Sequence, residues 1–398
     1  MGAGGFSRAR LIRMSLVMAG HVERGSAPGL AFMVGRGGEI HGDALGWTAE
    51  GEAPPIRRDA IFRIASLTKP ITAAAAMILV EECRLRLDDP VDAWLPELAG
   101  RRVLRRPDGP LDDTVPAIRP ITLRDLLTFR MGLGAVMAPR GRYPIQAALA
   151  QAGLEPGPNP PPLTPDAWMA AVGALPLMRQ PGEAWLYHTG SDVLGVLIAR
   201  AAGQDFEDFL RERLLEPLGM KDTGFHIPAR KLDRLPTCYR SDPAGGGLAI
   251  HDEPADSRWA NPPAFASGGG GLVSTVDDYF AFCAMMLNKG VHDGRRILSR
   301  PSIELMTMDH LTADQRAANG GILGAGQGWG FGMAVATERR GLAAPGQFGW
   351  NGGTGTTAYC DPAEGLIGVL MTQRMMESPD PPAVFQDFWT SAYQAIDD

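Results

Sequence analysis

The sequence predicts an α+β protein whose sheet is assembled from both ends of the chain, with a mostly helical domain inserted between them. Three observations lead there. Stretches of β-rich composition lie near the N-terminus, segments with apolar residues at helical spacing fill the middle, and strand-like stretches return after residue 330. No fixed-period repeat interrupts this order. The expected division is a discontinuous sheet domain, residues 1–90 and 265–398, around a helical domain, residues 91–264.

Taken in order, the elements have local causes. After a helical opening (Phe6 to Glu23), GLAFMVGRG from Gly29 and EIHGDALGW from Glu39 flank the turn residues Gly37 and Gly38, which reads as a hairpin. From Ser66 the chain becomes Ala-, Leu- and Met-rich, SLTKPITAAAAMILVEECRL, without a glycine, so a helix is expected there. Pro70 fits if it falls in the first turn, where its missing N–H removes no intrahelical bond. Further helices are expected over Thr122 to Phe129, Pro165 to Leu177, Ser191 to Ala202 and Asp205 to Leu215. Between the first two lies GLEPGPNPPPLTP, Gly153 to Pro165, where proline forbids regular structure and a loop or lid near a cleft is expected. Asp277 and Asp278 read as a helix cap and first-turn acids. FGMAVAT from Phe331, TAYCDP from Thr357 and LIGVLMTQ from Leu366 read as strands, and a helix follows from Pro382.

Composition excludes several functions. The net charge is −7, with no basic or strongly acidic block, so no nucleic-acid partner is implied. Cys83, Cys238, Cys283 and Cys360 form no Cys-x-x-Cys pair and read as free thiols. The seven histidines form no HExxH set, so no metal is expected; no other cofactor is implied either. Gly268 to Gly271 lacks the Gly-Lys-Ser/Thr ending of a phosphate loop. The longest apolar run, Ile71 to Val80, is half the roughly 20 residues a membrane span needs. Arg8, Arg10 and Arg13 precede an apolar stretch, Ser15 to Gly20, too short for a signal-peptide core, so a cytoplasmic chain with no membrane partner is expected.

The chemistry concentrates at Ser66 and Lys69. A serine hydroxyl is a weak nucleophile at neutral pH and needs a base within hydrogen-bond reach. Three residues apart on a helix, the two side chains share a face, and the helix start offers N–H groups and a positive dipole end to developing negative charge. Burial in an apolar helix lowers a lysine pKa toward the range of a working base. Alone, Ser-x-x-Lys is a weak signal, because a serine before a helix is commonly just an N-cap.

The surroundings strengthen it. FRIASLTKPITAAAAMILVEE is followed in order by ITLRDLLTFRMGL from Ile121, PGEAWLYHTGSDVLGVLIARAAG from Pro181, LLEPLGMKDTGF from Leu214, GGGGLVSTVDDYFAFCAMMLNKG from Gly268 and WNGGTGTTAYCDP from Trp350. These segments resemble the serine β-lactamase and penicillin-binding-protein superfamily, especially class C β-lactamase-like family VIII esterases, from about residue 25 onward. The resemblance implies a β-lactamase-like fold: an antiparallel sheet flanked by helices, with the active site in the cleft between sheet and helical domains. It implies Ser66 as nucleophile, Lys69 as its base and Tyr187 as proton relay. The backbone N–H groups of Ser66 and Gly353 are implied as oxyanion hole, and Trp350, Asn351 and Gly352 as the third motif on the cleft strand. His188, beside Tyr187, is a candidate to tune that tyrosine or touch substrate.

Three departures bear on substrate. Thr189 stands where penicillin-recognising enzymes carry asparagine, and offers no NH2 donor to a lactam side chain. Trp350 replaces a lysine, removing the cation that meets a substrate carboxylate. FRMG, Phe129 to Gly132, replaces a more polar element, and Met131, Met137, Trp185 and Phe348 are apolar candidates for the cleft. The expectation is a serine esterase acting on a small-molecule ester through a seryl acyl-enzyme. A β-lactamase, a D-amino-acid peptidase or amidase and an acyltransferase share the same chemistry, and a non-catalytic binding protein is the alternative of another class. The sequence assigns no oligomeric state.

Overall fold

A computed structural model describes residues 4–242 and 245–398. The chain opens with helix α1 (Arg8–Glu23) and the hairpin of β1 (Gly29–Arg36) and β2 (Glu39–Gly46). Gly37 and Gly38 both take positive φ, 55° and 83°, the backbone that a tight hairpin turn demands. Strand β3 (Phe62–Arg63) leads through a 3-10 turn, Ala65–Leu67, into α2 (Thr68–Glu81).

The middle of the chain carries a small hairpin, β4 (Arg102–Leu104) and β5 (Thr114–Pro116), and five helices: α3 (Leu123–Leu127), α4 (Pro144–Gln151), α5 (Pro165–Ala174), α6 (Thr189–Ala202) and α7 (Phe206–Leu210). The helix expected over 205–215 is split, because Arg211–Leu215 widens into a π-helical turn. A second hairpin follows, β6 (Cys238–Ser241) and β7 (Leu248–Asp252). Then come β8 (Val273–Ser274), α8 (Val276–Leu287), the hairpin β9 (Val291–His292) and β10 (Arg295–Arg296), and helices α9 (Arg300–Met306), α10 (Ala313–Ala318) and α11 (Gly320–Leu323). The cap of α8 is Thr275, whose hydroxyl accepts from the Asp278 N–H; Asp277 and Asp278 lie inside the first turn.

The chain returns as β11 (Gln327–Trp329), β12 (Ala334–Ala336), β13 (Phe348–Gly352), β14 (Thr356–Asp361) and β15 (Leu366–Thr372), and ends in α12 (Ala383–Gln394). These strands join the N-terminal hairpin in one seven-stranded antiparallel sheet of order β11-β12-β13-β14-β15-β1-β2. Strand β1 is covered on both faces, which is why it reads as an unbroken apolar run. Leu30, Phe32 and Val34 point into a cluster with α1 and α12, whereas Ala31 joins the larger core on the opposite face. Emptying the Phe32 position by alanine costs about 3–5 kcal/mol in such a core.

Helix α2 runs through the centre of that larger core, buried from Thr68 to Leu79. Ala73 to Ala76 keep it thin enough to lie against α6, so its first turn is held deep inside the protein. Among the described residues no helix is long and apolar enough to cross a membrane.

Candidate active site

The helix expected from Ser66 begins two residues later. Ser66 sits in the 3-10 turn, directly after Ala65, whose φ of 41° is in the left-handed region. Thr68, Lys69 and Pro70 form the first turn of α2, where the proline removes no bond. Lys69 Nζ lies 2.9 Å from Ser66 Oγ and is fully buried. Its other partners are His188 Nδ1, at 3.2 Å, and the Gly269 carbonyl oxygen. Burial pulls the Lys69 pKa from 10.5 down to about 7, against an opposing pull from Asp192.

The glycine run is a packing device. Thr72 Oγ1 donates to the Gly268 carbonyl at 2.9 Å, and Thr68 Oγ1 accepts from Leu272 N at 3.1 Å, lacing residues 268–272 along α2. A Cβ on Gly268 would lie 2.4 Å from the Ser191 carbonyl oxygen, and one on Gly269 2.8 Å from His188 Nε2. Glycine lets three segments meet at the lysine.

Tyr187 and His188 enter from the start of α6. The Thr189 N–H donates to the Tyr187 carbonyl at 3.2 Å and His188 takes φ 82° and ψ −67°, a γ-turn of the rare, strained kind. Adjacent side chains thereby both reach Lys69: its Nζ is 4.6 Å from the centre of the Tyr187 ring. Trp350 Nε1 donates to Tyr187 Oη at 2.6 Å. Burial pushes the Tyr187 pKa up to about 12, while hydrogen bonds with Ser66 and Trp350 pull the other way. The ring is boxed by Phe129, Trp185, Trp329 and Trp350, all at centroid distances of 5.6–6.0 Å.

Strand β13 closes the site. A Cβ on Gly352 would lie 2.3 Å from the Ile64 carbonyl oxygen, so this glycine lets the strand press on the residues leading to Ser66. Thr354 and Thr356 hold the same stretch by donating to the carbonyls of Arg63 and Ile64. Behind it, Arg63 pairs with Asp252, both side chains 2% exposed.

A cavity of about 350 Å³ opens above these groups. Ser66, Tyr187, His188, Trp350, Asn351 and Gly353 line one end of it. Met137, Ile322, Met375 and Met376 supply apolar wall, and Pro156, Gly157 and Pro158 bring the proline-rich loop onto the cleft, where Asn159 bonds Arg258. Among the described residues the lining holds no lysine or arginine; its one acid, Glu377, pairs with Arg374 at 2.5 Å. No cluster of three or more potential metal ligands occurs among the described residues.

Five residues expected at the substrate or the cleft wall do not line this cavity. Met131 and Trp185 are buried in the core, Trp185 as one wall of the box around Tyr187. Thr189 is buried as the first residue of α6, and Gly352 serves backbone packing. Phe348 is buried against the Cys360 side of the sheet. Apolar character alone does not separate core from cleft wall. Asp192 is a residue the sequence reading overlooked: its carboxylate lies 3.1 Å from His188 Nε2 and accepts from Ser267 Oγ and Gly269 N. The His-x-x-x-Asp spacing at a helix start was its available signal. Met375, Met376 and Ile322 carry no local signal that would have placed them here.

The β-lactamase family model matches residues 15–386. The chain belongs to the β-lactamase family. Protein Rv1367c of Mycobacterium tuberculosis (strain ATCC 25618 / H37Rv) is 40% identical over 329 residues, covering 80% of this chain and 79% of that one. Esterase EstB of Burkholderia gladioli is 30% identical over 364 residues, 86% of each chain. The solved structure of EstCE1, a hydrolase with promiscuous acyltransferase activity, matches with a TM-score of 0.82 over 97% of this chain and 99% of that one. At 23% identity that match shows a common fold, the β-lactamase-like fold expected from the motifs. This member of the family is a β-lactamase-related serine hydrolase.

Proposed function

We propose that the protein hydrolyses neutral carboxylic esters with an apolar acyl group, through an acyl-enzyme on Ser66. The observation that carries this reading is the wall of the cavity: a buried amine 2.9 Å from a serine hydroxyl lies beneath a pocket edged by methionines and Trp350, without a lysine or arginine among the described lining residues. A substrate carboxylate, as on a β-lactam, finds no cation there, whereas an alkyl chain finds apolar wall.

The protonation states support the following order of steps. Lys69, with a pKa of about 7, is neutral in a large fraction of molecules at neutral pH and takes the Ser66 proton as Oγ attacks the ester carbonyl. The oxyanion is met by the backbone N–H groups of Ser66 and Gly353, each worth about 3–4 kcal/mol in such sites. Tyr187, a phenol at this pH, hands its proton to the departing alkoxide and is reprotonated from the Lys69 ammonium. A water then attacks the acyl-enzyme; its proton returns by the same groups and the acid leaves. Trp350 fixes the Tyr187 oxygen through its indole N–H, a role a lysine would fill with charge.

Turnover of p-nitrophenyl esters of increasing chain length and of a chromogenic cephalosporin, by wild type and Ser66→Ala, tests the reading. Ester cleavage by wild type alone is expected, with the best chain length set by the cavity. Faster cleavage of the cephalosporin, or ester cleavage surviving in Ser66→Ala, overturns it. An added alcohol measures acyl transfer in the same assay, the activity named for EstCE1.

A further inference from the structure

We infer that His188, held by Asp192, is a positioning residue that takes one N–H of the neutral Lys69 amine and so turns the amine's lone pair toward Ser66. The inference rests on the ester reading above and goes beyond it.

It follows from counting hydrogen atoms. A neutral amine has two N–H groups and one lone pair, and Lys69 Nζ has three polar neighbours: Ser66 Oγ, His188 Nδ1 and the Gly269 carbonyl. The carbonyl can only accept. Asp192 lies 3.1 Å from His188 Nε2, and its other oxygen is taken by Ser267 Oγ at 2.6 Å and Gly269 N at 2.9 Å. The carboxylate therefore holds the ring proton on Nε2 and leaves Nδ1 as an acceptor facing the lysine. With both N–H groups so occupied, the lone pair is left pointing at the Ser66 hydroxyl. When the proton arrives, the ammonium has three N–H groups for three acceptors, and no neighbour needs to move.

Burial keeps this arrangement intact. The His188 pKa is lowered by burial and then by the Lys69 charge, so the ring stays neutral. Burial opposes the Asp192 carboxylate, yet His188, Ser267 and Gly269 together hold its pKa below the ordinary value. The backbone points the same way: a γ-turn with φ 82° is strained for any residue with a Cβ, and here it is what carries the ring back onto Lys69.

Ester kinetics on wild type, Ser66→Ala, His188→Ala and His188→Asn, with thermal unfolding of each, make the test. Ser66→Ala is expected to be inactive. His188→Ala is expected to lose on the order of 100-fold in kcat, the usual scale for a misdirected reacting group, with KM nearly unchanged. His188→Asn, whose side-chain oxygen can accept near the Nδ1 position, should recover most of that loss. In wild type labelled with 15N-histidine, His188 should show a protonated Nε2 and an unprotonated Nδ1, whether or not the variants fold. Wild-type kcat in His188→Ala beside an inactive Ser66→Ala, no recovery in His188→Asn, or a protonated Nδ1 overturns the inference. Activity in Ser66→Ala overturns the ester reading instead.

Discussion

Replacing Lys69 by methionine should make the protein inactive and, relative to wild type, change how its stability depends on pH. The buried amine has a pKa of about 7 in the fold against 10.5 when exposed. At about 1.4 kcal/mol per pH unit, keeping this lysine costs the folded state about 5 kcal/mol when it is charged. The sign follows from proton counts. Between the two pKa values the unfolded chain binds a proton that the folded chain does not, so wild-type stability rises with pH across that window. The penalty is full below pH 7 and gone above 10.5. Methionine removes it, but leaves the Gly269 carbonyl and His188 Nδ1 without their donor, at about 1–3 kcal/mol each. The net change at neutral pH is therefore small, and its pH slope carries the information. Urea unfolding of both proteins should show the advantage of Lys69→Met shrinking by about 1.4 kcal/mol per pH unit above neutrality. A stability difference independent of pH through that range would refute a neutral, desolvated lysine.

Other consequences are separately measurable. The kcat/KM for an uncharged ester should rise with pH through a limb near 7, as Lys69 loses its proton, and stay high beyond it because Tyr187 titrates only at about 12; a limb near the ordinary carboxylate range contradicts the assignment. Trp350→Phe keeps an aromatic wall but removes the 2.6 Å bond to Tyr187 Oη, and should lower kcat about tenfold, the equivalent of one hydrogen bond. Steady-state kinetics that leave kcat at the wild-type value would dismiss that role. Gly352→Ala places a methyl 2.3 Å from the Ile64 carbonyl oxygen and should cost about 1–3 kcal/mol, read as a lower unfolding temperature.

The sequence made legible whatever depends on near neighbours along the chain. The hairpin of β1 and β2 follows from two stretches of β-rich composition on either side of Gly37 and Gly38, and α2 from a glycine-free run of helix formers. Ser66 and Lys69 meet because helical spacing brings them together. Tyr187 was legible through its motif, whereas the γ-turn at His188 was not, because nothing in neighbouring residues asks for positive φ at a histidine. Met131 and Trp185 were expected at the cleft because they are apolar and near the motifs, yet both are core. The Met375 and Met376 wall arises from the chain beyond β15, a placement that only the assembled sheet determines.

Capture of the acyl-enzyme tests the central claim most directly. Intact-mass spectrometry after rapid acid quench of wild type with a slowly turned-over ester, followed by peptide mapping, should show one acyl group on Ser66 and none in Ser66→Ala. An acyl group on another residue, or turnover of that ester with no acyl group on Ser66, would contradict it.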